Sequence, residues 1–273
     1  MELQIETTST CNAKCSFCVY PVAGRAGGLM AMSLFKGIID EAAGIPVIDR
    51  FVFHGLGEPL LDPHLEDRIW YARSKKPQAH REIFTNGVYL APEKFEALKA
   101  AGLTSLTVSV NAVRAEQHEK IMGLVGKFDT VQKNARYAID NQGDCAVHIH
   151  AVKNDDSFTR EDVPVFYAQW GNRNFGGHGI CIVEGNWAGS NRTQHRNWKP
   201  NESCYRALGQ MYILYDGRVS MCCFDPTGKT IFGDLNKQTI RQVYNSKEYL
   251  NFRIAHDQDR ADEYQQCRDC TRI

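Results

Sequence analysis

The sequence predicts an α/β fold: six strand–helix units forming an open, TIM-like partial (β/α)6 barrel, then a small C-terminal hairpin-plus-helix unit. Three observations predict it. Strand-like and helix-like patterns alternate from the first residues to about Glu184, which is the signature of βαβ units and a parallel sheet. At about 30 residues per unit, six units use roughly 180, too few for a closed eight-unit barrel of roughly 250. After a polar stretch, NWAGSNRTQHRNWKPNES, the style changes to a hairpin signal. These breaks divide the chain into a barrel over 1–185, a connecting loop over 186–203 and a second unit over 204–273. Periodicity alone leaves a doubly wound sheet open as the alternative.

The elements follow in order. LQIETT is the first strand, and LFKGIIDEAA a helix with Leu34, Ile38, Ile39 and Ala42 on one face. RFVFHG and HLEDRIWYARS make the second strand and helix. REIFTNG is a strand running into a turn; PEKFEALKAAG has Pro92 in its first turn and stops at Gly102, the asymmetry that helices prefer. SLTVSVN is the fourth strand, and FDTVQKNARYAID sets Phe128, Val131, Ala135, Ala138 and Ile139 at helical spacing. AVHIHAV, DVPVFYAQW and GICIVE supply the fifth strand, a helix and the sixth strand. Beyond the polar loop, QMYILYDGRVSMCC reads as a hairpin around Asp216-Gly217, and TIRQVYNSKEYLNFRIAH as a helix.

Composition narrows the function classes. With 32 basic and 32 acidic residues the chain has no net charge pushing it toward nucleic acid or membrane. No apolar run reaches the roughly 18 residues of a membrane span, and residues 1–9 carry no signal-peptide pattern. A cytoplasmic protein is the expectation. Its ten cysteines then point to metal or redox chemistry, because the cytosol keeps thiols reduced.

Cys11, Cys15 and Cys18 sit together in STCNAKCSFCVY, just after the first strand. Zinc and ordinary cubane sites use four protein ligands; this set offers three. A cluster held by three thiolates leaves one iron open for chemistry. With Phe17 before the last cysteine, the segment resembles the CxxxCxΦC loop of the radical S-adenosylmethionine (SAM) superfamily. The resemblance implies a [4Fe–4S] cluster whose open iron chelates SAM, an external one-electron donor such as flavodoxin or ferredoxin, and cleavage to a 5'-deoxyadenosyl radical. A split zinc site is the alternative.

Three further segments, each at the end of a predicted strand, resemble the family's SAM-binding motifs. In HGLGEPLL, Gly57, Glu58 and Pro59 match GGEP, with Leu56 in place of the first glycine; Glu58 would meet the SAM ammonium. In FTNG, Thr85 and Asn86 match the ribose-contacting segment, although Asn-Gly is also a common turn pair. VSVNA resembles SxD, giving Ser109 and Asn111 near the SAM carboxylate. Relatives often carry arginine at the position of Met122 in EKIMG, so Lys153 or Asn154 after the fifth strand are the substitutes.

Cys204, Cys222, Cys267 and Cys270 flank the hairpin and the C-terminal helix. This arrangement resembles the auxiliary-cluster domain SPASM and its short form, twitch, and implies one further fully ligated [4Fe–4S] cluster; a zinc site is the alternative reading of the spacing. Cys222 and Cys223 cannot both face the cluster from one strand. Cys145 and Cys181 read as small buried apolar residues.

Asp225, just past Cys222, is the first choice for a proton acceptor, where relatives place an acid near substrate. His54, and the alternating pair His148 and His150, are candidates to touch substrate, as are Trp187 and Arg192 in the polar loop, where charge and stacking could cradle an anionic or aromatic group. Among twitch enzymes the nearest likeness is to those oxidising a secondary alcohol to a ketone. The leading expectation is therefore a radical SAM oxidoreductase or mutase acting on a small polar molecule. Modification of a ribosomal peptide, or of a nucleobase or nucleotide, is the second enzyme reading, and a zinc-stabilised binding module the non-enzyme one.

Overall fold

The computed structural model describes residues 1–20, 23–25, 27–152, 158–171, 179–183 as backbone, 204–268 and 270. Strands β1 (Glu2–Ile5), β2 (Arg50–Val52), β3 (His80–Thr85), β4 (Ser105–Ser109), β5 (Ala146–Val152) and β6 (Gly179–Val183) alternate with helices α1 (Met32–Ala43), α2 (Leu65–Lys75), α3 (Pro92–Ala101), α4 (Ala115–Met122), α5 (Phe128–Asp140) and α6 (Asp162–Trp170). Then come α7 (Tyr205–Gly209), β7 (Gln210–Ile213), β8 (Arg218–Ser220), β9 (Ile231–Asp234), α8 (Ile240–Tyr244), α9 (Lys247–Asp257) and α10 (Gln265–Arg268).

Strand order is β6-β5-β4-β3-β2-β1-β7-β8-β9. Every pair from β6 to β7 is parallel, and β7-β8-β9 is antiparallel. A doubly wound sheet reverses its strand order at a switch point. Here β1 to β6 follow one another without reversal, so right-handed crossovers stack all the helices on one side. The sheet stays open.

Local sequence accounts for most elements. In α1 the buried face is Phe35, Ile38, Ile39 and Ala42; Phe35 takes the place expected of Leu34, which is only half-buried. Helix α3 begins on Pro92 and ends at Gly102, whose φ of 104° is left-handed backbone and whose N–H reaches the carbonyls of Leu98 and Lys99. In α5, Phe128, Val131, Ala135 and Ala138 are buried as expected.

Three features depart from the sequence reading. The helix expected over 239–256 is two helices: Thr239 forms a capping box with Gln242 at the start of α8, and Ser246 caps α9 by accepting the Tyr249 N–H. Helices α4, α7 and α10 and strand β9 are additional. And the sheet runs on past residue 204, because β7 pairs with β1 from Glu2↔Gln210 to Ile5↔Ile213. The edge that β1 would otherwise present is thereby covered.

Alternation splits the sheet into two faces. Leu3, Ile5, Phe51, Phe53, Ile83, Leu106, Val147 and Ile149 join the core that packs against the helices. Gln4, His54, Phe84, His148, His150 and Tyr212 fall on the other, concave face. That face holds together through Gln4 Nε2 donating to the His54 carbonyl at 3.2 Å and Gln210 donating to Gln4 Oε1 at 2.9 Å. His54 and Phe84 add a ring contact at 4.9 Å. Among the described residues no helix is long and apolar enough to cross a membrane.

Candidate functional site

The cysteine loop leaves the C-terminal end of β1 and is fastened to the end of α4. Lys14 N–H donates to the Met122 carbonyl at 2.9 Å and Ser16 N–H to that of Ile121 at 2.7 Å. Phe17 is buried beneath the loop. Two sulfurs already receive backbone N–H groups: Ala13 N–H lies 3.4 Å from Cys11 Sγ, and Tyr20 N–H 3.4 Å from Cys18 Sγ. The Tyr20 hydroxyl accepts the Cys11 N–H at 3.1 Å.

Burial pushes the Cys11 thiol up to about 12 and raises Cys15 and Cys18 as well, with neighbouring thiols adding to the rise at Cys11 and Cys15. Three half-buried thiols that resist ionisation together, yet have N–H donors aimed at two of their sulfurs, suit a cationic metal group that would hold them as thiolates. The residues fit a cluster.

Beside the loop stands the turn after β2. A Cβ on Gly57 would lie 2.2 Å from the Thr8 carbonyl oxygen, so only glycine allows this approach. It brings Glu58 N–H to the Thr10 carbonyl at 2.8 Å. Pro59 then opens a short 3-10 turn capped by Glu58. The Glu58 carboxylate accepts from Thr85 Oγ1 at 2.6 Å, Asn86 N–H at 2.7 Å and Leu60 N–H at 3.1 Å. Asn86 Nδ2 in turn donates to Asn12 Oδ1 at 2.7 Å, inside the cysteine loop. Segments from three strand ends thus meet at one buried carboxylate. Burial raises its pKa to about 7 against the pull of those donors.

The fourth strand end is used differently. Asn111 has left-handed backbone, φ 56°, and both ends of its amide are engaged by the chain itself. Oδ1 accepts the Val152 N–H at 2.8 Å, and Nδ2 lies 3.0 Å from Met122 Sδ. Met122 also meets Cys15, sulfur to sulfur at 3.4 Å. Where relatives carry arginine, this chain has an apolar strut under the cysteine loop. Ser109 lies half-buried opposite His150. Lys153, Asn154, Trp187 and Arg192 lie outside the described residues.

At the other end of the strands a cavity is lined by Cys204, Cys222, Cys267 and Cys270. Cys204 precedes α7 and hence the start of β7, and Cys222 follows the end of β8, which runs back toward that same edge. Phe224, Phe252 and Met221 give the cavity apolar walls, and Arg206 and His256 its polar groups. Cys222 and Cys223 lie past the end of β8, outside the one strand the sequence predicts for both, and Cys223 is hydrogen-bonded to Arg206. Cys145 is buried; the Cys181 side chain lies outside the described residues.

Asp225 calls for a correction. Its oxygens accept from Ser220 Oγ at 3.1 Å, Thr227 Oγ1 at 3.3 Å, and the N–H groups of Lys229 and Thr230 at 2.9 and 2.8 Å. At 2% exposure this carboxylate closes its own loop and has no free edge for substrate. The acid was legible, but its partners lie within the turn.

Sequence reading missed Glu6. It is fully buried at the end of β1, paired with Arg25 from the segment after the cysteines. It also accepts the N–H groups of Leu56 at 3.0 Å and Tyr215 at 3.1 Å. Arg25 lies 5.6 Å from the centre of the Tyr215 ring. One carboxylate therefore joins the cysteine loop, the glycine-rich turn and the hairpin. Its only sequence signal is an acid directly after an apolar strand.

Between the two cysteine sets, burial lowers the pKa of His150 to about 4, and burial together with His150 lowers that of His54 to about 4. Both imidazoles are neutral at ordinary pH.

Residues 5–162 match the family model of the radical SAM superfamily, and residues 204–271 that of SPASM, an iron–sulfur cluster-binding domain. The S-adenosyl-L-methionine-dependent 2-deoxy-scyllo-inosamine dehydrogenase of Niallia circulans is 21% identical over 272 residues, 99% of this chain and 92% of that protein. PqqA peptide cyclase of Granulibacter bethesdensis is 34% identical over 137 residues, 50% of this chain and only 36% of that relative. Among solved structures, BtrN in complex with AdoMet and 2-DOIA has a TM-score of 0.69 at 20% identity, covering 100% of this chain and 93% of its own.

Proposed function

The chain belongs to the radical SAM superfamily and carries an iron–sulfur cluster-binding domain behind its barrel; from that premise we propose that it dehydrogenates a small polar molecule held on the concave face. It is an enzyme whose cofactors are SAM and [4Fe–4S] clusters, so the zinc reading falls. When bound, the first cluster and SAM supply a 5'-deoxyadenosyl radical able to take hydrogen from an ordinary C–H bond. The second cluster, where four cysteines would leave no iron open, would supply a one-electron acceptor.

Cys11, Cys15 and Cys18 would hold the first of these, and Cys204, Cys222, Cys267 and Cys270 the second. Glu58, steadied by Thr85 and Asn86, would face the SAM ammonium; a cation there returns the carboxylate to its charged form. Gly57 and Pro59 set the turn that places it, and Phe17 floors the loop. Ser109 remains free to contact the cofactor, whereas Asn111 acts by fixing the strand ends. On the concave face, His54 and His150 are neutral, so they can accept a hydrogen bond or a proton from a substrate hydroxyl, with His148 one register step below.

What carries the reading is the span of the likeness. The relative named as a dehydrogenase aligns with 99% of this chain at 21% identity, whereas the peptide cyclase aligns with half of it. The test is an anaerobic incubation of the reconstituted chain with SAM, dithionite and a panel of carbon-deuterated aminocyclitols and polyols. Deuterium should appear in 5'-deoxyadenosine, with a ketone product two mass units below the unlabelled substrate. Deuterium transfer from peptides alone would reverse the assignment. An external reductant of the flavodoxin or ferredoxin type should replace dithionite.

A further inference from the structure

His256 lies in the last turn of α9, 2% exposed, on the wall of the cavity that the four C-terminal cysteines share. Its Nε2 is 3.5 Å from Cys267 Sγ. Phe252 holds the ring edge-on at 4.7 Å and is itself packed against Phe232 and Tyr264. The imidazole is therefore fixed in a dry place, pointing at one sulfur.

A thiolate bound to iron can only accept, so the nitrogen facing it must carry the proton. We infer that His256 sets the potential of the auxiliary cluster by donating its Nε2–H to the Cys267 sulfur. The inference rests on the reading that these four cysteines hold an iron–sulfur cluster. Reduction adds an electron to a group that is already negative and buried. A hydrogen bond to a ligand sulfur stabilises the reduced form more than the oxidised one and so raises the potential. Arg206, on the same wall and stacked over Phe224 at 4.8 Å, adds positive charge in the same sense. A higher potential makes the centre a better acceptor for an electron from a substrate radical. His256 is a positioning residue here, since it touches the ligand and not the substrate.

The experiment uses the full chain with Cys11→Ala, Cys15→Ala and Cys18→Ala, so that only the auxiliary cluster remains. An iron count comes first: about four per chain is expected of one four-iron cluster, and a chain without iron refutes the function reading rather than this inference. Midpoint potentials are then read by EPR-monitored redox titration with His256→Phe and His256→Gln added in turn. Phenylalanine fills the space without a donor, and glutamine keeps an N–H close to the Nε2 position. His256→Phe should lower the reduction equilibrium constant roughly tenfold, about 59 mV for one electron, while His256→Gln stays within threefold of its parent. A phenylalanine variant that keeps its irons and stays within threefold overturns the inference, as does an equal fall in both variants, which would assign the shift to packing. If the phenylalanine chain does not hold its irons, His256→Leu is the donor-free variant, judged by the same limits.

Discussion

Glu58 and Asp225 are both buried acids beside a cysteine set, and only their partners separate them. Asp225 is ringed by donors of its own loop, two of them backbone N–H groups, and it organises that loop. Glu58 receives donors from β3 and the turn after it, and burial still leaves its pKa at about 7 in place of 4.5. The folded chain thus binds a proton that the unfolded chain releases between those values. Without SAM, stability should fall as pH rises through that window, by up to roughly 3 kcal/mol. With SAM the sign reverses, because the ammonium favours the ionised carboxylate. Equilibrium dialysis of the reconstituted chain should show SAM affinity dropping up to about tenfold per pH unit below 7, and Glu58→Gln should bind weakly with no such slope. An unchanged slope in that variant would remove Glu58 from the SAM site.

At the scale of elements, the motif-bearing turns were readable because each is local: a glycine that tolerates close approach, a proline opening a turn, cysteines a few residues apart. Strand β9 was not, since its Ile231–Asp234 segment is short and includes Gly233, and it becomes a strand only by pairing with β8. Helix α7 has five residues, too few for periodicity to register. The split of α8 from α9 was written in the sequence as Ser246, but the apolar spacing on either side hid it. Glu6 was invisible for another reason: burial of a charge is decided by what folds over it. Removing one partner of such a buried pair costs about 3–5 kcal/mol. Urea unfolding of the cluster-free chain should show Glu6→Gln destabilised to that extent, with Arg25→Met largely restoring stability in the double variant because no unpaired cation remains. A loss below about 1 kcal/mol for the single change would contradict this, being the size of an exposed pair.

For the molecule as a whole, the decisive contact is the parallel pairing of residues 2–5 with 210–213, which no local pattern announces. It makes one sheet of what the sequence divides into a barrel and a second unit. It also sets the two cysteine groups beyond opposite ends of the paired strands, one following β1 and the other preceding β7. The neutral, polar concave face lies between them. Fold class, both cysteine groups and the Glu58 turn were legible in advance; the continuity of the sheet that carries them was not. The most direct measurement is an iron and sulfide count, with Mössbauer spectra, on the anaerobically reconstituted chain and on its Cys11→Ala/Cys15→Ala/Cys18→Ala variant. Two clusters predict about eight irons falling to about four, with 5'-deoxyadenosine formation lost in the variant. A chain that binds zinc in place of iron, or whose iron does not fall when the three cysteines are removed, would contradict the account.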